Sequence, residues 1–355
     1  MKILVISYSL AAGGAEHFAV DLCNALAVHD EVSLLVTNSD ASGVNRHYLS
    51  EIDPCVNYIN LGCASGHTLS ALVGIQRVIK KLKPDVVHAN TDLLQLLIPL
   101  LICRKVKYVH TIHSAADYYL PSIILKPLYR FLYRFRVKAV TISEQCSQSF
   151  RNLYGLRSDT TIVNGCAKPI CTSDQELVKK TINEYGGSNA HVFVHIARYA
   201  RQKNQRVLFE AISKIHDAFL VVVGKDYPDS LIQSQDRSQV LFVGEKKNVA
   251  DYLACADFFV LSSIMEGLPI SLIEAMSMGV VPVSTPAGGV KDVIRNSENG
   301  FLSTGFDAES LADAMRRAIS TTIDRNGIIA EYEQKYSMKN CALGYKSLFL
   351  QLINS

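Results

Sequence analysis

With 355 residues the chain is long enough for two domains, each with its own core. Its 48% hydrophobic and 19% charged residues mark a soluble globular chain, and a net charge of +3 carries no nucleic-acid signature. Nine cysteines, scattered singly with no C-x-x-C pair, argue for a reducing compartment and against a disulfide framework or a zinc site.

Lys2–Ser7 reads as a first strand, too short in its apolar run for a signal peptide. Ala11 to Glu16, A-A-G-G-A-E, then opens a helix with apolar Phe18, Leu22, Ala25 and Leu26. Glycines 13 and 14 would let a ligand approach the backbone at a helix N-terminus, or simply make a tight turn; the pattern is not the G-x-G-x-x-G of a dinucleotide fold. Further strands are expected at 32–37, 56–61, 86–89, 108–112, 139–142 and 161–163, with helices between them, the alternation of a doubly wound parallel sheet. Ligands of such sheets sit beyond the strands' carboxyl ends. His88 and His113 are both expected there, with His88 better read as structural and His113 either as a ligand group or as a satisfied strand-end histidine. The longest apolar run, Leu93 to Cys103, is broken by Gln95 and Pro99 and cannot span a bilayer.

Pro121 to Lys138 interleaves Lys126, Arg130, Arg134, Arg136 and Lys138 with aromatic and aliphatic residues. Lys126, Arg130 and Arg134 fall on one helical face. The stretch suits an amphipathic helix on an anionic membrane and equally a packed helix with snorkelling arginines. Residues 167–187 read as a connection, after which a second β/α series begins at His191.

Arg198 ends the strand of that series and Lys203 precedes its helix. Two cations at a helix N-terminus oppose its dipole, which makes sense if a diphosphate binds there, whereas Arg201 reads as a surface residue. Strands are expected at 219–223 and 240–243, the second followed by Gly244. The apolar strand ending at Leu261 leads into Ser262–Gly279, S-S-I-M-E-G-L-P-I-S-L-I-E-A-M-S-M-G, a loop and a short helix opened by Pro269 and stopped by Gly279. Glu266 stands at the helix mouth beside the amides of Gly267 and Leu268, and Glu274 lies on the helix among apolar neighbours. Carboxylates accept from sugar hydroxyls, and the amides favour an anion. The alternatives are an ordinary first-turn acid and a solvated helix face. Thr285 to Gly289, T-P-A-G-G, permits another close backbone approach, and Asp292 reads as a helix-start acid. A last helix is expected over 339–353.

The spaced glutamates, the E-G-L-P loop and the T-P-A-G-G run resemble the retaining glycosyltransferases of family 4, and the resemblance covers nearly the whole chain. It implies the GT-B fold: two Rossmann-like, doubly wound parallel-sheet domains facing a cleft. Residues 1–166 would form the acceptor-side domain, with helix 339–355 crossing back to it, and 167–338 the nucleotide-sugar domain. Gly13 and Gly14, with Glu16, would border the donor phosphates and the acceptor, and His113 would meet the donor sugar or the leaving phosphate. Arg198 and Lys203 would bind the diphosphate, the backbone around Gly244 the base, Glu266 and the Gly267 and Leu268 amides the sugar and leaving group, and Glu274 the ribose. The family's usual glycine before the arginine is Ala197 here, and a common glutamate is Asp292.

The activity so implied moves a sugar from a UDP- or GDP-linked donor to a hydroxyl of a glycan or lipid-linked acceptor, with retention. No cofactor or metal is expected, since the chain contains no D-x-D, and no nucleic-acid partner. The expected place is the cytoplasm, at the inner face of the membrane if residues 121–138 touch it. The rivals are a GT-B sugar-nucleotide epimerase, a nicotinamide oxidoreductase, disfavoured by the missing glycine fingerprint, and a non-catalytic sugar-nucleotide-binding protein.

Overall fold

The computed structural model describes residues 1–38, 46–64, 68–90, 92, 96, 99–100, 103, 105–116, 120, 122–158, 160–187 and 190–355. Most of the 93–103 apolar run, and Pro121, lie outside the described residues. The chain divides into two compact units, Met1–Cys166 with Met338–Ser355, and Ala167–Ser337.

The first unit holds six parallel strands, β1 (Lys2–Ser7), β2 (Glu31–Asn38), β3 (Asn57–Cys63), β4 (Val86–Ala89), β5 (Lys107–Ile112) and β6 (Val137–Thr141). Their order in the sheet is β3-β2-β1-β4-β5-β6. Central strands such as Ile3–Ile6 and Val86–Ala89 are buried along their whole length, because helices cover both faces of a parallel sheet. Those helices include α1 (Gly14–Ala27), α2 (Thr68–Leu82), α3 (Lys126–Phe135), α4 (Glu144–Tyr154) and, from the far end of the chain, α10 (Met338–Asn354). Local chemistry sets their ends. Ser143 Oγ caps α4 by accepting from Cys146 N, and Gly155 ends it at φ +64. Leu4, Leu35, Val87, Tyr129 and Phe150 share the core, each large apolar side chain contributing about 1.5–3 kcal/mol over its exposed state. On α10, Tyr345 is fully buried and its hydroxyl meets Thr111 Oγ1 on β5 at 2.7 Å.

The second unit repeats the plan with β7 (His191–Ile196), β8 (Ala218–Val223), β9 (Val240–Gly244), β10 (Phe258–Leu261), β11 (Val281–Ser284) and β12 (Phe301–Leu302). The sheet order is β12-β11-β10-β7-β8-β9. Counted from its own first strand, that is the order of the first sheet. Flanking helices include α5 (Gln175–Gly186), α6 (Gln205–Ile212), α7 (Ile270–Ser277), α8 (Ala308–Ser320) and α9 (Arg325–Glu331). Phe193, Leu208, Phe259, Leu272 and Phe301 are sealed in its core.

Three expectations need correction. The segment 161–163 is not a strand: Thr161 makes one isolated bridge to Thr141, at the sheet's outer edge. His88 does not follow β4 but lies within it, fully buried, with Nε2 2.7 Å from Thr111 Oγ1. The basic stretch is not one helix to residue 138, because α3 ends at Phe135 and β6 begins at Val137.

Candidate functional site

In each unit the strand order reverses between two neighbouring strands, and the crevice outside their carboxyl ends is where doubly wound sheets take ligands. In the second unit those strands are β7 and β10. After β7 the chain runs through Arg198, which is exposed, into a 3-10 turn at Arg201–Lys203. Asn204, at φ +52, then closes the turn and starts α6. After β10 comes the loop Ser262–Pro269, which leads into α7.

The two loops are tied together. Ser262 Oγ donates to the Lys203 carbonyl at 2.8 Å, and Ile264 N to the Gln202 carbonyl at 2.8 Å. Lys203 Nζ reaches Glu266 Oε1 at 2.6 Å, with the two side chains only 16% and 9% exposed. Ser263 Oγ donates to the same carboxylate oxygen at 2.5 Å. The loop after β11 completes the set: Thr285 Oγ1 donates to the Ser263 carbonyl at 2.5 Å, and Gly289 N to the Gly267 carbonyl at 2.9 Å. Among the described residues the N–H groups of Gly267 and Leu268 have no acceptor, so two donors stand ready beside a lysine and a carboxylate. Such a corner suits a ligand with both anionic oxygens and hydroxyls.

This geometry alters the sequence reading in one respect. Lys203 is not an uncompensated cation at a helix mouth, since Glu266 neutralises it. Glu274 is 5% exposed on α7, which removes the solvated-face alternative. Gly244 ends β9 at φ +74, a conformation that favours glycine, and its carbonyl accepts from Gly224 N at 2.9 Å. Arg201 is exposed, and Asp292 stands in the first turn of the short helix Val290–Val293. A cavity of about 630 Å³ lies beside α6, lined by Tyr199, Phe209, Leu231 and Gln239 among others, but neither Lys203 nor Glu266 borders it.

In the first unit the reversal falls between β1 and β4. Gly13 is the N-cap of α1, Gly14 its first residue, and Glu16 stands in its first turn with its carboxylate folded over Gly13. Asn90, just past β4, joins this turn to His113, just past β5. Its Nδ2 donates to the Ala15 carbonyl at 3.4 Å, so its Oδ1 faces His113 Nε2 at 3.1 Å and accepts that proton. Phe18 meets the His113 ring edge-on at 4.9 Å. Burial lowers the His113 pKa to about 4, so the ring is neutral at pH 7.

Asn90, Ser263 and Gln205 are the residues that sequence reasoning missed. Gln205 is 1% exposed at the start of α6. Its Nε2 donates to the Arg198 carbonyl at 2.8 Å, and its Oε1 accepts from Ala200 N at 3.4 Å. Fully buried His195 backs it: Nδ1–H donates to the Val260 carbonyl at 2.8 Å, which leaves Nε2 as an acceptor 3.5 Å from Gln205 Nε2. The turn carrying Arg198 and Lys203 is therefore pinned from beneath. A polar residue directly after the Lys203–Asn204 turn was the only available signal.

The comparisons fit these two units. The family model for glycosyl transferases group 1 matches residues 190–321, and that for Glycosyltransferase Family 4 matches residues 12–166. The chain is 34% identical over 142 residues to the N-acetyl-alpha-D-glucosaminyl L-malate synthase of Bacillus anthracis, an alignment that spans 37% of the chain and 36% of the relative. It is 24% identical over 277 residues, 70% of each protein, to the UDP-Gal:alpha-D-GlcNAc-diphosphoundecaprenol alpha-1,3-galactosyltransferase of Escherichia coli. The crystal structure of Anabaena Alr3699/HepE in complex with UDP and glucose matches 99% of the chain and 100% of its own, with a TM-score of 0.80 and 21% identity. That last likeness concerns the fold, which is GT-B.

Proposed function

We propose that this chain, which belongs to the family 4, group 1 glycosyltransferases, moves a sugar from a UDP- or GDP-linked donor to a hydroxyl with retained configuration. The acceptor would be a glycan or a lipid-linked saccharide in surface polysaccharide or glycolipid synthesis, and the work would be done in the cytoplasm at the membrane's inner face. The observation that carries the reading is the corner where Lys203, Glu266 and the Gly267 and Leu268 amides meet. Two relatives support the donor class: one is named for UDP-Gal, and one was solved with UDP and glucose. No helix among the described residues is long and apolar enough to cross a membrane.

In this reading the leaving diphosphate gathers negative charge as the glycosidic bond lengthens. Lys203 and Arg198 hold its oxygens, and the two amides add donors that need no reorganisation. These groups supply the stabilisation that other transferases take from a metal ion, so the proposed reaction is metal-independent. Glu266, oriented by Ser263, accepts from the sugar's hydroxyls, and Glu274 from the ribose. The acceptor attacks the face the diphosphate leaves, with the diphosphate taking its proton, rather than Glu266 forming a covalent adduct. In the first unit, Gly13, Gly14 and His113 keep the roles the resemblance implies, as ligand contacts at that sheet's own reversal point.

Incubation with a panel of UDP- and GDP-sugars tests this. Slow release of UDP or GDP, faster with the right acceptor and giving a product of unchanged anomeric configuration by NMR, is the expected result. An isomerised nucleotide-sugar without acceptor would establish an epimerase instead, and tight binding without turnover a binding protein.

A further inference from the structure

The surface around α3 takes no part in the chemistry proposed above, yet its residues are sorted in an unusual way. Between Asp117 and Glu144 the sequence has five cations, Lys126, Arg130, Arg134, Arg136 and Lys138, and no acidic residue. The structure divides them. Arg136 Nη2 donates to the Leu100 carbonyl at 2.8 Å and Lys138 lies in β6, so both belong to the fold. Lys126, Arg130 and Arg134 recur every four residues and form one row along α3, and among the described residues none of them enters an ion pair. Pro127, Phe131 and Phe135 recur at the same interval one position later, as a second row beside the first.

The aromatics are divided the opposite way from a simple packed helix. Tyr129 and Tyr133 turn inward, and their hydroxyls find Asp92 and His110 Nδ1 there, while Leu132 fills the core. Phe131 and Phe135, with no polar atom to satisfy, face out at 53% and 63% exposure. The turn leading into the helix adds Ile123 at 67% and Ile124 at 83%. The two Phe rings stand 5.1 Å apart, and the Arg134 guanidinium lies 5.6 Å from the Phe135 centroid.

We infer that this face docks on an anionic lipid bilayer. The apolar row, with Ile123 and Ile124, enters the boundary between headgroups and chains, and the cationic row beside it meets lipid phosphates. Charge and hydrocarbon run as adjacent rows along the exposed face of α3, as they are layered in a membrane surface. Five apolar side chains hold only weakly, so attraction to anionic lipid supplies the rest and salt weakens it.

The full chain would be sedimented with phosphatidylcholine vesicles with or without phosphatidylglycerol, at low and high salt. Expected is partition onto the anionic vesicles that falls with salt, and little onto neutral ones. The triple variant K126Q/R130Q/R134Q lowers partition roughly a hundredfold, about fivefold per cation. F131S/F135S lowers it at least about tenfold. Unchanged melting temperatures separate lost docking from lost folding, and the charge variant stands alone if the Phe variant does not fold. Absent binding by the folded protein, equal binding to neutral vesicles, or variants that bind like the parent would each overturn the inference. So would sedimentation velocity showing a dimer, split by F131S/F135S, that ignores vesicles.

Discussion

The Lys203 ammonium and the Glu266 carboxylate touch at 2.6 Å across the reversal point of the second sheet, both nearly closed to solvent. Each has a ligand role in the proposed reaction, and each neutralises the other before a donor arrives. Removing one partner leaves the other charge buried without its counterion, a cost of about 3 kcal/mol. Lys203→Ala should therefore lose stability in urea unfolding, and K203A/E266Q should regain part of it. Activity should not follow. Both variants should lose at least two orders of magnitude in kcat/KM, on the order of 3 kcal/mol, because the diphosphate contact is gone in each. Unchanged kinetics for Lys203→Ala would remove this lysine from the site.

Gln205 gives a prediction of a different kind, since it touches the turn rather than the ligand. Gln205→Leu keeps the volume near its own but strands the Arg198 carbonyl, the Ala200 N–H and His195 Nε2. The cost should be about 2 kcal/mol in stability. Affinity for UDP or GDP should weaken about tenfold as the turn loosens under Arg198 and Lys203. Calorimetric titration of the nucleotide checks this, and a variant that is less stable but binds as before would make Gln205 structural only.

The contrast between these residues shows what the sequence could disclose. Strand–helix alternation and the spacing of Glu266 and Glu274 follow from local periodicity, so the fold class and the loop after β10 were legible. Gln205, Ser263 and Asn90 owe their roles to which strands lie side by side. Asn90 meets His113 because β4 neighbours β5, and Ser263 orients Glu266 beside Lys203 because β10 neighbours β7. Alternation does not fix that order. The misplacement of His88 has a smaller cause: the expected strand 86–89 already contained it, and a residue inside that span cannot lie beyond the strand's carboxyl end. The basic stretch of 121–138 crossed from α3 into β6 because both elements carry the same interleaved composition.

Removal of metal should leave the reaction untouched. Under the proposed mechanism Arg198, Lys203 and the Gly267 and Leu268 amides carry the leaving charge, so dialysis against EDTA should not change the transfer rate. A loss of activity restored by magnesium would contradict that assignment.

Acid should act through histidines rather than through the site's carboxylates alone. Burial holds the pKa of His88 and His110 at about 3 and that of His113 and His195 at about 4, below the 6.5 of an unperturbed ring. Between those values the unfolded chain binds more protons than the folded one, so stability rises with pH there and is lost as pH falls from 6.5 toward 4. Each ring contributes about 3 kcal/mol to that loss by pH 4, which together rivals the whole stability of an ordinary domain. Three of the four rings lie in the first unit and one in the second. Hydrogen exchange read by mass spectrometry at a series of pH values should therefore show Met1–Cys166 opening at higher pH than Ala167–Ser337. A stability that stays level from pH 6.5 to 4, or simultaneous opening of both units, would show that these imidazoles take up protons without unfolding.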